Sequence, residues 1–176
     1  VLYTKDNFET NVDGLFSGCI FPYVSGALCG GYYAGSQAAG AAADSVLLEI
    51  DLDLAAEEKQ RVLAPLHREE GISQREFEGA TRNVMEYYMG FRRNQRSMEL
   101  ALNKLNYIGD YASRVKARNY HELLRTHEAL FMHKAAILTT LTCLERRESG
   151  RAIYKRSDFP DANPDMNKPI VIWQDN

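Results

Sequence analysis

From residue 73 onward, apolar positions recur three and four apart, the spacing of one face of a helix. Ser73-Gln74-Arg75-Glu76 has the Ser-x-x-Glu form of a capping box. Phe77, Ala80, Val84 and Tyr88 follow as a single stripe, with Gly90 as a stop signal, so a helix is predicted from about residue 74. A second stripe, Met98, Ala101/Leu102, Leu105, Ile108, Ala112 and Val115, predicts a helix over 94–116. A third, Leu123/Leu124, His127, Leu130/Phe131, Ile137/Leu138, Leu141 and Leu144, predicts one over 120–147. Short links between three such helices favour an antiparallel, spectrin-like three-helix bundle, making the chain mainly α. Upstream, Leu52, Ala55/Ala56, Val62, Leu63 and Leu66 predict a further helix over 52–66, halted by Pro65 and Gly71.

The first forty-odd residues follow another rule. Residues 14–43 hold no charge, and Gly14, Gly18, Gly26, Gly30, Gly31, Gly35 and Gly40 recur among Ala, Tyr and Ser. The stretch is long enough to cross a bilayer, but its Gly/Ala content, Pro22 and low density of Leu, Ile and Val argue against insertion. It reads better as a loop followed by a tightly packed helix, starting near Ser25 or Gly26 and carrying Gly31, Ala34, Gly35, Ala38 and Ala42. Small side chains there admit a second backbone or a ligand. Before it, strand-like pieces at 1–4 and 15–20 flank the turn residues Asp13-Gly14 and suggest a hairpin or the rim of a sheet. After the helices, 152–154 and 170–173 read as short extended pieces separated by proline-containing loop. The expected organisation is therefore 1–45, a strand and glycine-rich helix; 46–148, a helical bundle; and 149–176, an extended tail that needs a surface to lie on.

Composition narrows the function. The chain has 176 residues, 45% hydrophobic and 26% charged, enough for a core. A net charge of −3 without basic blocks gives no footprint for nucleic acid. Cys19, Cys29 and Cys143 are odd in number and lack Cys-x-x-Cys spacing, which fits neither a disulfide framework nor a zinc site and points to a reducing cytoplasm. The start, Val1-Leu2-Tyr3-Thr4, has neither an initiator Met nor a signal-peptide pattern, as expected of a chain beginning mid-protein. His121, His127 and His133 recur every six residues, so successive rings point apart on a helix and no metal site is expected. His127, on the apolar stripe, reads as a hydrogen-bonded core histidine. The pairs Arg92-Arg93 and Arg146-Arg147 suit either an anion or the negative end of a helix. No Gly-x-Ser-x-Gly elbow, Walker A loop or Gly-x-Gly-x-x-Gly turn is present, so no catalytic residue is assigned.

Several segments together carry a resemblance. Thr10-Asn11-Val12-Asp13-Gly14-Leu15-Phe16-Ser17 is similar to the Thr-Asn-x-x-Gly-Leu-(Phe/Tyr)-Ala run that closes the FAD-binding domain of succinate dehydrogenase and fumarate reductase flavoproteins. Residues 31–39 resemble the helix that follows. Leu63-Ala64-Pro65-Leu66, Gly71-Ile72-Ser73, Glu148-Ser149 and Tyr154-Lys155-Arg156-Ser157-Asp158-Phe159-Pro160 resemble that family's C-terminal domain, and adenylylsulfate reductase α subunits share this style of ending. The resemblance implies an FAD-dependent oxidoreductase, transferring hydride or electrons, of which this chain is a non-catalytic C-terminal part. It implies that Ser25, Gly26, Ala27 and Leu28, at a helix N-terminus, face the flavin. Its implied partners are an upstream FAD-binding domain and an iron–sulfur subunit, with self-association of an isolated fragment through residues 14–43. Two departures stand out. Cys19-Ile20 replaces a Gly-(Asp/Glu) whose carboxylate binds the ribityl chain, and Tyr23-Val24-Ser25-Gly26 replaces a run that supplies a dicarboxylate-binding arginine. The alternative expectation is a helical subunit-docking module without cofactor.

Overall fold

The computed structural model describes residues 3–18, 23–46, 49–150 and 154–172. It divides into two compact units, Val1–Asp51 and Leu52–Asn176. In the first unit a short antiparallel bridge joins Glu9 to Phe16, with Thr10 N–H donating to Leu15 O at 2.8 Å and Ser17 N–H to Phe8 O at 2.9 Å. The turn between them uses Gly14 at φ +76°, a conformation that favours glycine, and its N–H reaches Glu9 Oε1 at 3.1 Å. The partner of Leu15-Phe16 is thus Glu9-Thr10 rather than the expected 1–4 piece, of which Val1 and Leu2 lie outside the described residues. Helix α1, Val24–Ala43, follows. Among its glycines, Gly30 has a clear steric reason: a Cβ there would lie 2.4 Å from Gly18 O, and one on Gly18 would lie 2.7 Å from Gly31 Cα. The small residues serve a backbone-on-backbone contact at this point, whereas Gly31, Gly35 and Gly40 have open space around them.

The second unit begins with α2, Leu52–Leu63, which has no buried residue, and a 3₁₀ turn, Ala64–His67. Then come β1 (Ile72–Ser73), α3 (Gln74–Tyr88), β2 (Arg92–Arg93), α4 (Gln95–Gly109), a 3₁₀ turn at Ala112–Arg114, β3 (Val115–Lys116), α5 (Tyr120–Glu145) and β4 (Lys155–Arg156). Side-chain caps fix the helix starts. Ser73 Oγ accepts from Glu76 N–H while Glu76 returns to Ser73 N–H at 2.7 Å; Asn94 and Ser97 form the same reciprocal box; Asn119 Oδ1 accepts from Glu122 N–H at 2.9 Å. Two parallel ladders tie the ends together. β1 pairs with β3, joining the start of α3 to the end of α4, and β2 pairs with β4, joining the start of α4 to the end of α5. Neighbouring helices therefore run antiparallel, and α3, α4 and α5 all pack on one another.

The predicted helix over 94–116 ends seven residues early, at Gly109. Val115 remains fully buried, but as a strand residue opposite Ile72. The 3₁₀ turn keeps the apolar spacing alive beyond the helix, which is why periodicity overran it. Gly71, at φ +147°, permits this ladder, since a Cβ would stand 2.1 Å from Arg114 O.

The buried face of α5 also differs from the expected stripe. Leu123, Thr126, Ala129, His133, Ala136, Thr140 and Cys143 are buried, whereas Leu124, Phe131 and Leu138 are 59%, 68% and 49% exposed. A helix wedged between two others needs small side chains to approach closely, so the bulky residues turn outward. Met98, Ala101 and Leu105 of α4, all at 0% exposure, fill the space opposite. In the tail, the expected strand at 170–173 is not formed at 170–172, and Trp173 lies outside the described residues, as do residues 152 and 153 of the other expected extended piece; the strand among the described residues is β4, followed by a 3₁₀ turn at Pro164–Met166.

Candidate functional site

Two features have chemical character, one in each unit. In the first, α1 starts with an uncapped first turn. Tyr23 holds φ +82° at the N-cap with no side-chain cap, and Ala27 N–H is bonded to Tyr23 O at 3.0 Å, leaving the amides of Val24, Ser25 and Gly26 ahead of the first intrahelical bond. The first turn contains no acidic residue, and Ser25, Ala27 and Leu28 are exposed with Gly26 half-buried. A positive φ at a tyrosine is a strained conformation, of the kind found where a backbone is held for a purpose. Three N–H groups at the positive end of a 20-residue helix, with the uncharged residues Tyr23, Val24, Ser25, Gly26, Ala27 and Leu28 around them, can receive an electron-rich carbonyl or anion. A carbonyl of a flavin ring is one group whose chemistry suits such donors. Cys19-Ile20, at the ribityl position of the resemblance, lies outside the described residues.

In the second unit the segment Tyr154–Pro160 closes the bundle. Arg156 is 2% exposed, and its Nη1 donates to Cys143 O, Leu144 O and Arg146 O at 3.0–3.2 Å, covering the last carbonyls of α5. Its Nε and Nη2 reach both oxygens of Asp158 at 2.9 and 2.5 Å, and its guanidinium stacks 4.8 Å from the Phe159 ring centre. Asp158 Oδ2 in turn accepts Gln95 N–H at 2.8 Å, at the first residue of α4. One ion pair thus places a cation on the negative end of α5 and an anion on the positive end of α4. The Arg156 guanidinium, first of all by hydrogen bonding, holds the Asp158 carboxyl down to about 2. Tyr154 Oη–H donates to Cys143 O at 2.6 Å, and burial pushes this phenol up to about 12. Arg93, on β2, performs the corresponding task for α3, with Nε on Met89 O and Gly90 O at 3.1 and 2.9 Å. Arg146 pins the tail through Glu148 and the carbonyls of Met166 and Lys168.

The three histidines of α5 have different surroundings. His127 is half-buried, with Nε2 2.9 Å from Val62 O, and His121 is exposed. The deeply buried one is His133, off the expected stripe. Its Nδ1 shares a 3.0 Å hydrogen bond with Thr81 Oγ1, while Nε2 has no hydrogen-bond partner among the described residues and faces Gly109. Burial pushes this imidazole below its usual range. Among the described residues no three His, Cys, Asp or Glu side chains gather as metal ligands, and no helix is long and apolar enough to cross a membrane.

The model of the fumarate reductase flavoprotein C-terminal family matches residues 79–175, more than half of the chain. The chain belongs to that family. Solved structures of similar fold include E. coli quinol fumarate reductase FrdA, at 22% identity and TM-score 0.77 over 92% of this chain and 31% of that one. Adenylylsulfate reductase of Archaeoglobus fulgidus matches at 22% identity and TM-score 0.73 over 80% of this chain and 25% of that one. The Mycobacterium smegmatis Sdh1 complex matches at 21% and 0.69 over 80% and 24%. The chain therefore spans between a quarter and a third of the solved chains it matches. No curated protein matches it. In this C-terminal domain Tyr154, Arg156, Asp158 and Phe159 tie the end of α5 to the start of α4, while Arg93 closes α3. The sequence shows this ending only as a family resemblance and not its task, because the carbonyls it caps come from residues 10–13 positions away and the amide from 63.

Proposed function

We propose that this chain is the C-terminal part of an FAD-dependent oxidoreductase, in which the N-terminus of α1 faces the flavin. The observation that carries this is the uncapped, charge-free first turn of α1, locked from behind by the Gly18–Gly30 backbone contact. FAD would supply the hydride or electron transfer. Ser25 and Gly26, with Val24, would offer backbone N–H groups to the ring, Ala27 and Leu28 would border it, and the helix dipole would favour the electron-rich reduced form. No side chain of this chain is assigned to proton transfer, so the catalytic residues belong to the remainder of the protein, as does the dinucleotide-binding domain. A cytoplasmic location fits the cysteine usage.

The test is the complete protein, read from the open reading frame. A Gly-x-Gly-x-x-Gly strand–turn–helix unit upstream and FAD co-purifying with the protein are expected. Gly26→Asp, which puts a carboxylate at the helix end, should lower the flavin potential or reduce FAD content. A start codon immediately before Val1, or a full-length protein free of flavin, would sink the reading.

A second reading, a helical docking module for a partner such as an iron–sulfur subunit, is favoured by one observation. Leu124, Phe131 and Leu138 lie seven residues apart on one exposed side of α5. Co-purification of the complete protein with a partner, lost in a Leu124→Ser/Phe131→Ser variant that still melts cooperatively, is its expected signature.

A further inference from the structure

Side chains alternate between the two faces of a strand, and the β2/β4 ladder uses both. Arg93 and Arg156, register partners, turn inward and cap α3 and α5. Arg92 and Lys155, also register partners, are exposed on the other face. Together with Phe91, Ser149, Ser157, Pro160 and part of Arg156, whose guanidinium is spent on Asp158 and the end of α5, they line a cavity of about 250 Å³. None of the lining residues is acidic, and among the described residues neither Arg92 nor Lys155 joins an ion pair. Asp158, the carboxylate bonded to this ladder, is already engaged by Arg156 and the Gln95 amide. Like charges set directly opposite in a ladder repel, at strand spacings of about 5 Å, unless an anion lies between them. This concentration of cations occurs in a chain whose net charge is −3.

We propose that this cavity binds a tetrahedral oxyanion, either inorganic phosphate or the phosphate group of a phosphomonoester, between Arg92 and Lys155 with the Ser157 hydroxyl as a third donor. Ser157 Oγ makes only a long hydrogen bond, 3.3 Å, to Arg93 O, and is exposed, so it can turn to a ligand. Ser149 does not compete: it is buried, with Oγ donating to Arg156 O and accepting from Arg156 N–H. A guanidinium offers a fork of N–H donors and an ammonium a compact charge, a pairing that suits an anion with several equivalent oxygens. Phe91 and Pro160 supply an apolar wall for the carbon side of an ester. The small volume favours a group of this size over a peptide segment.

The test titrates the whole chain with inorganic phosphate, and in parallel with glycerol phosphate, at ionic strength held constant with sodium chloride. Calorimetric binding and the thermal midpoint are both followed. A saturable response to either probe is expected. Arg92→Gln and Lys155→Gln should each weaken it about tenfold or more, the loss expected for a charge-assisted hydrogen bond. Their midpoints in chloride alone, and their circular dichroism, should match the parent, because both side chains are exposed. Tighter binding of the ester than of the free ion assigns the site to phosphomonoesters, and equal affinity assigns it to inorganic phosphate. No saturable response to either probe, or a response retained in the double variant, would overturn the proposal.

Discussion

The guanidinium of Arg156 satisfies three carbonyls at the end of α5 and both oxygens of Asp158, so its removal leaves several buried acceptors unpaired at once. Arg156→Met should cost about 3 kcal/mol in chemical denaturation, because three carbonyls at the end of α5 lose a charged donor at once. Arg156→Lys, which keeps the charge but not the fork, should fall between the two. The acid side of stability belongs to the same pair. Asp158 titrates at about 2 in the fold and near 3.9 in an unfolded chain, so its contribution is complete above about pH 4 and is lost as pH falls from there to about 2. Asp158→Asn should flatten the stability profile in that window. His133 acts higher. Its neutral form is favoured by burial, so below about pH 6.5 the unfolded chain takes up a proton that the folded one resists, and stability declines as pH falls. Thermal midpoints of His133→Leu should vary less than the parent's between pH 7 and pH 5, and an unchanged slope would show that the ring is not the group responsible.

Helices α3 and α4 obey their stripes, while α5 does not, and paired substitutions separate the two cases. Leu105→Asp puts a carboxylate at a site with 0% exposure and should abolish cooperative melting. Leu138→Asp, at a site 49% exposed, should be tolerated within about 0.5 kcal/mol, as for ordinary surface positions. Equal damage from both would mean that the face of α5 is rotated from that described. Ser73→Ala removes one half of the α3 capping box and should cost about 1 kcal/mol in denaturant unfolding. Hydropathy alone cannot say which face of a helix is buried when, as in α5, large apolar residues lie on one side and Ala, Thr and Cys on the other. The choice depends on how near the neighbours come.

At the scale of the whole molecule, many large apolar side chains stand exposed, among them Tyr32 at 84% and Leu28 at 69% on α1 and Leu52 at 76% on α2. If the chain is the C-terminal part of a longer flavoprotein, these are surfaces that the remainder covers, and the chain produced by itself should self-associate. Sedimentation of the isolated chain at rising concentration is expected to show a growing average mass that falls when Leu28 and Tyr32 are replaced by Ser. What the sequence determined was local. Ser73-x-x-Glu76, the three and four spacing of Met98, Ala101 and Leu105, and the uncharged Gly/Ala run of α1 each act within a few residues, so the helices, most of their starts and the mainly α class were legible. The family was legible as well, from short motifs. The tertiary structure decided what distant residues do to one another. It ended α4 at Gly109 because Val115 found Ile72, and it turned Thr126, Ala129 and Ala136 inward because α3 and α4 leave α5 little room. It also set Arg92 beside Lys155, and placed Arg156 and Asp158 across the ends of α5 and α4. Those outcomes depend on separations of tens of residues closed only by folding, and no local pattern encodes the distance at which they meet.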